Sequence, residues 1–300
     1  MTANNPNNLH YIHHDILRTP SFSVGFRDGP IDHVKSLEHY HDSYELDLFI
    51  KADIQIFVKD RRYDIHDGDI LFISEYDVHK VIYNTGTHYT RYVINFKKNF
   101  INELLNFLGI ADLLINIQNR DYKKLRVNVS RINEFEDLFK TLYTLYSKGH
   151  DSTQITQGDN GNAENTALIK SFLLILLSRF YHALINTKPT FTQTTKDKIV
   201  RVIIDYIDSN YMILIDLDSL ERKFHFNKYY LSHIFKQLTG FTIMEYAQHR
   251  RIIEAQRMLK YTNKDIIEIC YDCGFNNIQH FYRVFSKVTG ITPYKYRKMG

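Results

Sequence analysis

The last hundred residues of the chain carry one pattern written twice, and a duplicated unit of that length leaves few folds open. The second copy is the clearer. From Ile266 to Arg297 it reads IIEICYDCGFNNIQHFYRVFSKVTGITPYKYR. Asp265 and Glu268 stand three apart, as the two halves of a capping box do, so a helix is expected to start there. Ile266, Ile269 and Cys270 share one helix face. Gly274 ends that helix, because glycine takes a left-handed C-terminal conformation at no steric cost. A second helix fits Ile278 to Val288, with Asn277 as N-cap and Phe281, Val284, Phe285 and Val288 on the buried side. Gly290 closes it and Pro293 opens another turn. Helix, glycine turn, helix is the helix-turn-helix pattern.

The first copy lies about 50 residues earlier, between Leu217 and Tyr246. Phe226-Asn227 matches Phe275-Asn276, and Phe235 matches Phe285. Leu238-Thr239-Gly240-Phe241-Thr242 matches Val288-Thr289-Gly290-Ile291-Thr292. Between the copies, Ile252, Ala255, Gln256 and Leu259 recur at helical spacing, which predicts a connecting helix within Tyr246 to Leu259. Two helices held on one rigid connector can enter successive major-groove segments about 34 Å apart. Charge agrees. Residues 196–300 carry 17 Lys+Arg against 11 Asp+Glu, net +6, while the rest carries 21 against 23, net −2. A basic domain beside a slightly acidic one fits phosphate binding by the former.

This segment resembles the DNA-binding domain of the AraC/XylS family of bacterial transcription regulators. The resemblance rests on Arg251, Ala255 and Leu259, then Ile266–Ile269, Gly274-Phe275, Phe281, Phe285, Gly290, Thr292-Pro293, Tyr296 and Arg297, and covers about a third of the chain. Glu221 and Cys270 depart from it, standing where the family places a small alanine. The resemblance implies that the outward faces of the two recognition helices read DNA. These are Tyr229, Ser232, His233 and Lys236 in the first unit, and Ile278, Gln279, Tyr282, Arg283 and Lys287 in the second. Arginine suits guanine O6/N7 and glutamine suits adenine N6/N7, while Ile278 suits a thymine methyl. Lys236 and Lys287 sit later on their helices and suit phosphate, which positions without specifying.

The front of the chain has a different period. Residues 1–10 are polar and expected to be disordered. Residues 11–98 read as short strands with regular turns, a sandwich or small barrel. Tyr44–Ile50, Ile54–Val58 and Thr90–Phe96 are rich in β-branched and aromatic residues, with turns at Lys59–Arg62 and His66–Asp69. His39, His41, Glu45 and His79 form an HxHxxxE set with a later histidine, which resembles the cupin β-barrel. In that fold such a set can grip a divalent metal, and imidazoles with a carboxylate suit Fe, Mn, Ni or Zn. The cupin proline and glycine before the final histidine are missing: Glu75 to Val78 reads EYDV. A divalent metal is a candidate cofactor, and an effector pocket lined by His39, His41, Glu45, His79, Tyr83 and Tyr92 is the alternative reading, which the missing proline and glycine favour. Tyr44 and His88 are further polar neighbours, and a sugar is the suggested ligand.

Residues 99–186 turn helical. Phe135, Leu138, Phe139, Leu142, Leu145 and Tyr146 make one stripe, and Ala167–Ile185 is apolar nearly all round. Lys170, Arg179 and His182 within it argue for a packed helix over a membrane span. These helices are expected to dimerise the chain, with a flexible loop over 149–165 and a linker over 187–195. Cys270 and Cys273 form a lone CxxC, read as buried and structural in a reducing cytoplasm. No basic segment followed by an apolar run opens the sequence, so no signal peptide is expected. The expected whole is an α+β multidomain regulator: a cupin-like β-barrel, a helical dimerisation region and an all-α double helix-turn-helix domain. Its expected partners are double-stranded DNA, a small-molecule effector, a second copy of the chain and RNA polymerase, with no membrane. The rival is a metal-dependent cupin enzyme with an appended DNA-binding module.

Overall fold

The computed structural model describes residues 20–30, 40–82, 88–127, 129–150, 160–187 and 194–299. The described residues fall into two compact units, one within Thr19–Gln193 and the other within Thr194–Gly300. The first contains eight strands in two sheets. One has the order β1 (Phe22–Pro30), β7 (His88–Phe96), β2 (Tyr44–Lys51), β5 (Asp69–Ile73), β8 (Lys124–Arg126). The other has the order β4 (Arg61–His66), β3 (Asp53–Val58), β6 (His79–Ile82), and every pairing is antiparallel. The turns fall where glycine or a left-handed residue permits: Gly68 has φ +80° between β4 and β5, and Lys59 has φ +55° between β3 and β4.

Strand β2 shows how the unit is layered. It is buried on both faces from Tyr44 to Phe49. Tyr44, Leu46 and Leu48 join Tyr92, Ile94 and Phe96 under a helical cover. Side chains alternate along a strand, so Glu45, Asp47 and Phe49 face the other way. Phe49 there meets Leu71, Ile73, Ile54, Ile56 and Ile65 in the core between the sheets. The cover comprises α1 (Lys98–Phe107), α2 (Leu113–Gln118), α3 (Val129–His150) and α4 (Asn160–Ile185). Helix α4 is, by length and composition, apolar enough to cross a membrane. Its Ile169, Leu173, Leu176, Leu177 and Phe180 instead fill the space beneath α3 and the sheet.

Three expectations change here. Region 99–186 is not purely helical, because Lys124–Arg126 pairs with Asp69–Leu71 at the sheet edge. Buried Asp69 holds it there, bonded to Lys124 Nζ at 2.9 Å and to the Arg126 guanidinium. Helix α4 starts at Asn160 and not at Ala167, so the loop expected over 149–165 is helical at both described ends. Asn165 Nδ2 donating to Leu145 O at 3.2 Å ties its early turns to α3. The stripe expected to form the dimer contact is consumed within the chain: Phe135, Leu138, Phe139 and Leu142 are buried in the core.

The second unit is all-helical. A helix absent from the sequence reading, α5 (Thr195–Asn210), opens it, one residue inside the expected linker. Its signals were there: a Thr194/Asp197 capping box and Val200, Ile203, Ile204 and Ile207 on one buried face. Then come α6 (Leu217–Phe224), α7 (Lys228–Thr239), the connector α8 (Ile243–Tyr261), α9 (Ile266–Asp272), α10 (Ile278–Thr289) and α11 (Pro293–Met299). The duplication extends to single bonds. Thr239 Oγ1 donates to Phe235 O at 2.8 Å, and Thr289 Oγ1 to Phe285 O at 2.8 Å. Gly240 and Gly290 end α7 and α10 at φ +81° and +78°.

Candidate DNA interface and effector site

In α7, Leu231, Ile234, Phe235 and Leu238 are buried. The opposite side leaves Tyr229, His233 and Lys236 exposed and Ser232 half-buried. Gln237, which sequence reasoning missed, joins Ser232, His233 and Lys236 around one shallow hollow. Its signal was available, since it stands one turn after His233. In α10, Phe281, Val284 and Phe285 are buried, and Gln279, Arg283 and Lys287 are exposed. Ile278 and Tyr282 differ from expectation: both are half-buried and pack on the core of the second unit, so they reach the surface only at its edge. Val288, expected to be buried, is half-buried next to the helix end. The N-termini of both helices are fixed by asparagine: Asn227 Oδ1 accepts from Tyr229 N at 2.9 Å and Asn277 Oδ1 from His280 N at 2.9 Å. Two rigid helices thus present polar, partly cationic faces. Cys270 and Cys273 are free and buried, and burial pushes the Cys273 thiol up to about 12, which leaves it unreactive.

The other site brings together β2 of the five-stranded sheet and β6 of the three-stranded sheet. His41, in the bend before β2, Glu45 on β2 and His79 at the start of β6 each place a ligand atom within 4.8 Å of the others. All three are buried. His39 and Tyr83, which belong to the expected set, lie outside the described residues. His41 is not on a strand but in the segment just before β2. Its ring is instead held by its own bend: Nδ1 donates to Ser43 O at 2.8 Å. His79 Nδ1 likewise donates to Asp77 O at 2.9 Å. A carbonyl only accepts, so the proton is assigned to Nδ1 in both rings and Nε2 becomes the ligand atom. Such outer hydrogen bonds are what orient metal-ligating histidines.

His41 Nε2 meets Glu45 Oε2 at 2.9 Å. With Nδ1 already protonated, that contact is attractive only if a proton or another cation lies between the two atoms. Burial works against an imidazolium, but the hydrogen bond and charge of Glu45 outweigh it and raise His41 above its ordinary value. Burial by itself would raise Glu45; the hydrogen bond from His41 and the charges of His41, His79 and Arg91 hold it well below the carboxylate range. Asp47, fully buried two residues on, is pushed well up by burial, partly offset by Arg91, with neighbouring Glu45 adding to the rise. Arg91 Nη1 donates to Asp47 Oδ1 at 3.0 Å.

Asp47 and Arg91 were missed, and Tyr92 was wrongly included, for one reason. Glu45, Asp47, Arg91 and Asn95 share the inward face, whereas Tyr92 is one residue out of phase. Tyr92 packs instead on Phe26 and Phe139 beneath the helices. Tyr44 faces the same way, against Phe72 and Phe96. His88 is half-exposed and paired with Asp28 at 2.8 Å.

Comparison with known proteins follows the same division. A family model described as an AraC-like ligand binding domain matches residues 23–164, and one described as a helix-turn-helix domain matches residues 220–299. The chain is 25% identical over 263 residues to the HTH-type transcriptional activator RhaS of Mannheimia succiniciproducens, covering 87% of this chain and 88% of the relative. It is 36% identical over 112 residues to the bifunctional transcriptional activator/DNA repair enzyme AdaA of Bacillus subtilis, and spans 53% of that relative's length. Among solved structures, a protein of unknown function from Listeria innocua is 31% identical, with 34% of this chain and 96% of that one covered and a TM-score of 0.33.

Proposed function

The chain belongs to the AraC/XylS family of bacterial transcription regulators, and on that premise we propose how it reads DNA and what its barrel senses. It is an effector-controlled DNA-binding regulator with an AraC-like ligand-binding domain. In our reading α7 and α10 lie in successive major grooves. Arg283 and Gln279 contact base edges, with His233 and Ser232 their counterparts in the first unit, while Lys236 and Lys287 contact phosphate. Tyr229 extends the first contact, and Ile278 and Tyr282 touch the groove from the margin of the core. The chain works in the cytoplasm as a homodimer, and RNA polymerase is the partner through which promoter binding acts.

The effector site is the part of the barrel that holds His41, Glu45 and His79, and the observation that carries this is their meeting there. The donor set fits a divalent transition metal. Two imidazole Nε2 atoms and one carboxylate are buried together, and both outer nitrogens are held by carbonyls. Such an ion would supply a charge that polar oxygens of an incoming sugar or acid can join. Asp47 and Arg91 hold the neighbouring polar wall. A metal-dependent enzyme would draw on the same three residues, but the relatives named as transcriptional activators favour regulation.

The test uses the full chain. Its thermal unfolding is followed with zinc, manganese or nickel and with a panel of sugars. The reading predicts that at least one ion raises Tm, that His41→Ala abolishes the rise, and that this variant binds DNA without ligand as wild type does. No stabilisation by any ion, or equal loss of DNA binding in His41→Ala, contradicts it.

A further inference from the structure

The two helix-turn-helix units meet at a point that neither repeat requires by itself. Gly274 ends α9 at φ +79°. The matching turn of the first unit is occupied by His225 at φ +58°, so the left-handed conformation alone does not exclude a side chain here. Space does. A Cβ on Gly274 would sit 2.4 Å from Met212 O and 2.8 Å from Met212 C. Met212 belongs to the turn that joins α5 to α6, on the first-unit side. A turn of one unit therefore lies against the turn of the other, backbone to backbone.

One side chain holds that contact. Arg251, from the middle of the connector α8, donates Nε–H to Tyr211 O at 2.7 Å and Nη2–H to Ile213 O at 2.8 Å. It thus grips the carbonyls on both sides of Met212. Its guanidinium also lies 5.6 Å from the ring of Phe275, which is buried in the core of the second unit. The neighbouring Arg250 stacks on the Tyr211 ring at 4.7 Å and pairs with Asp208 of α5 at 3.5 Å. A planar fork with donors in fixed directions can span two carbonyls and stack at once; an ammonium cannot.

We infer that Arg251 is a positioning residue for DNA recognition: through the 211–213 turn and Gly274 it fixes the separation and angle of α7 and α10, and so the spacing of the two DNA segments the chain accepts. The inference rests on the proposed reading that both helices contact one duplex. A connector helix alone leaves each unit free to rock about its ends. The Arg251 clamp adds a second point of attachment beside the axis, which converts a tether into a fixed angle.

The probe is a duplex selected from a randomised pool by the full-length wild-type chain. Versions are made with one base pair added or removed between the two contacted segments, and with one segment scrambled. One base pair displaces and rotates the second segment by about 3.4 Å and about 36°. Wild type should prefer the selected spacing by about ten-fold. Arg251→Ala should reduce that preference to about two-fold or less, while binding the one-segment duplex as wild type does. Gly274→Ala should flatten the spacing preference in the same way. Should Arg251→Ala not fold, Arg251→Lys gives the same readout, because one ammonium cannot span both carbonyls. A spacing preference unchanged in the variants, or a loss on the one-segment duplex equal to that on the full site, overturns the inference. A wild-type footprint over one segment only sinks the two-helix reading and this inference with it. A two-segment footprint with unchanged spacing preference sinks the inference alone.

Discussion

Arg283 and Lys287 stand four residues apart on the exposed side of α10, yet they are expected to fail differently when removed. Arg283 lies in the middle of the helix, where a guanidinium can reach guanine O6/N7, a contact worth about 1–3 kcal/mol of discrimination. Arg283→Ala should therefore relax preference at one base pair of the second segment and leave the others intact. Lys287 lies in the last turn, where phosphate is the nearer partner. Lys287→Ala should weaken all sequences alike and lower the slope of log K against log salt by about 0.9. Measuring a base-preference profile and a salt series for both variants separates the roles, and an unchanged profile for Arg283→Ala removes its assignment. At this scale the sequence was legible on helices and less so on strands. The 3.6-residue period put Tyr229, His233, Lys236, Gln279, Arg283 and Lys287 on the exposed sides of α7 and α10, with Ser232, Ile278 and Tyr282 half-buried. On β7 the period is two, so a one-residue slip selected Tyr92 and passed over Arg91, although the two are neighbours.

Helix α3 shows what periodicity cannot say. Its stripe marks a face that must be covered, but the pattern is the same whether the cover is the chain's own sheet or a second copy. Here it is the chain's own sheet together with α4. Leu142 is fully buried, so Leu142→Asp places an uncompensated charge in a packed core, which costs several kcal/mol. The expected outcome is loss of folding, read as a lost cooperative melt, and not a folded monomer. The apolar residues left exposed on α4 include Leu168, Ile175 and Ile185. If the proposed dimer forms through this helix, Ile175→Asp should give a monomer by sedimentation whose stability lies within about 0.5 kcal/mol of wild type, as exposed substitutions usually do. A wild type that sediments as a monomer, or a variant that stays dimeric, contradicts that placement. Helix α5 was the reverse case. Its capping box and four-residue buried face were readable, but it precedes the stretch in which the repeat was recognised, and its counterpart in the second copy, α8, was read only as a connector.

For the whole molecule, the duplication near the C-terminus was the most legible feature. It is written in local signals, caps, glycines and apolar spacing, that need no distant partner. The barrel site was legible in its residue types, because His41, Glu45 and His79 do converge. What lies beside that cluster, the Asp47–Arg91 pair, depends on strand register and stays hidden until β2 and β7 are paired. The central claim is that one chain reads DNA with two helices in successive major grooves. Methylation interference on a duplex selected by the full-length protein tests it most directly, since guanine N7 lies in the major groove and adenine N3 in the minor. The account predicts interference at guanine N7 in two clusters about ten base pairs apart for each bound chain, with little at adenine N3. A single cluster, or interference confined to adenine N3, would contradict it.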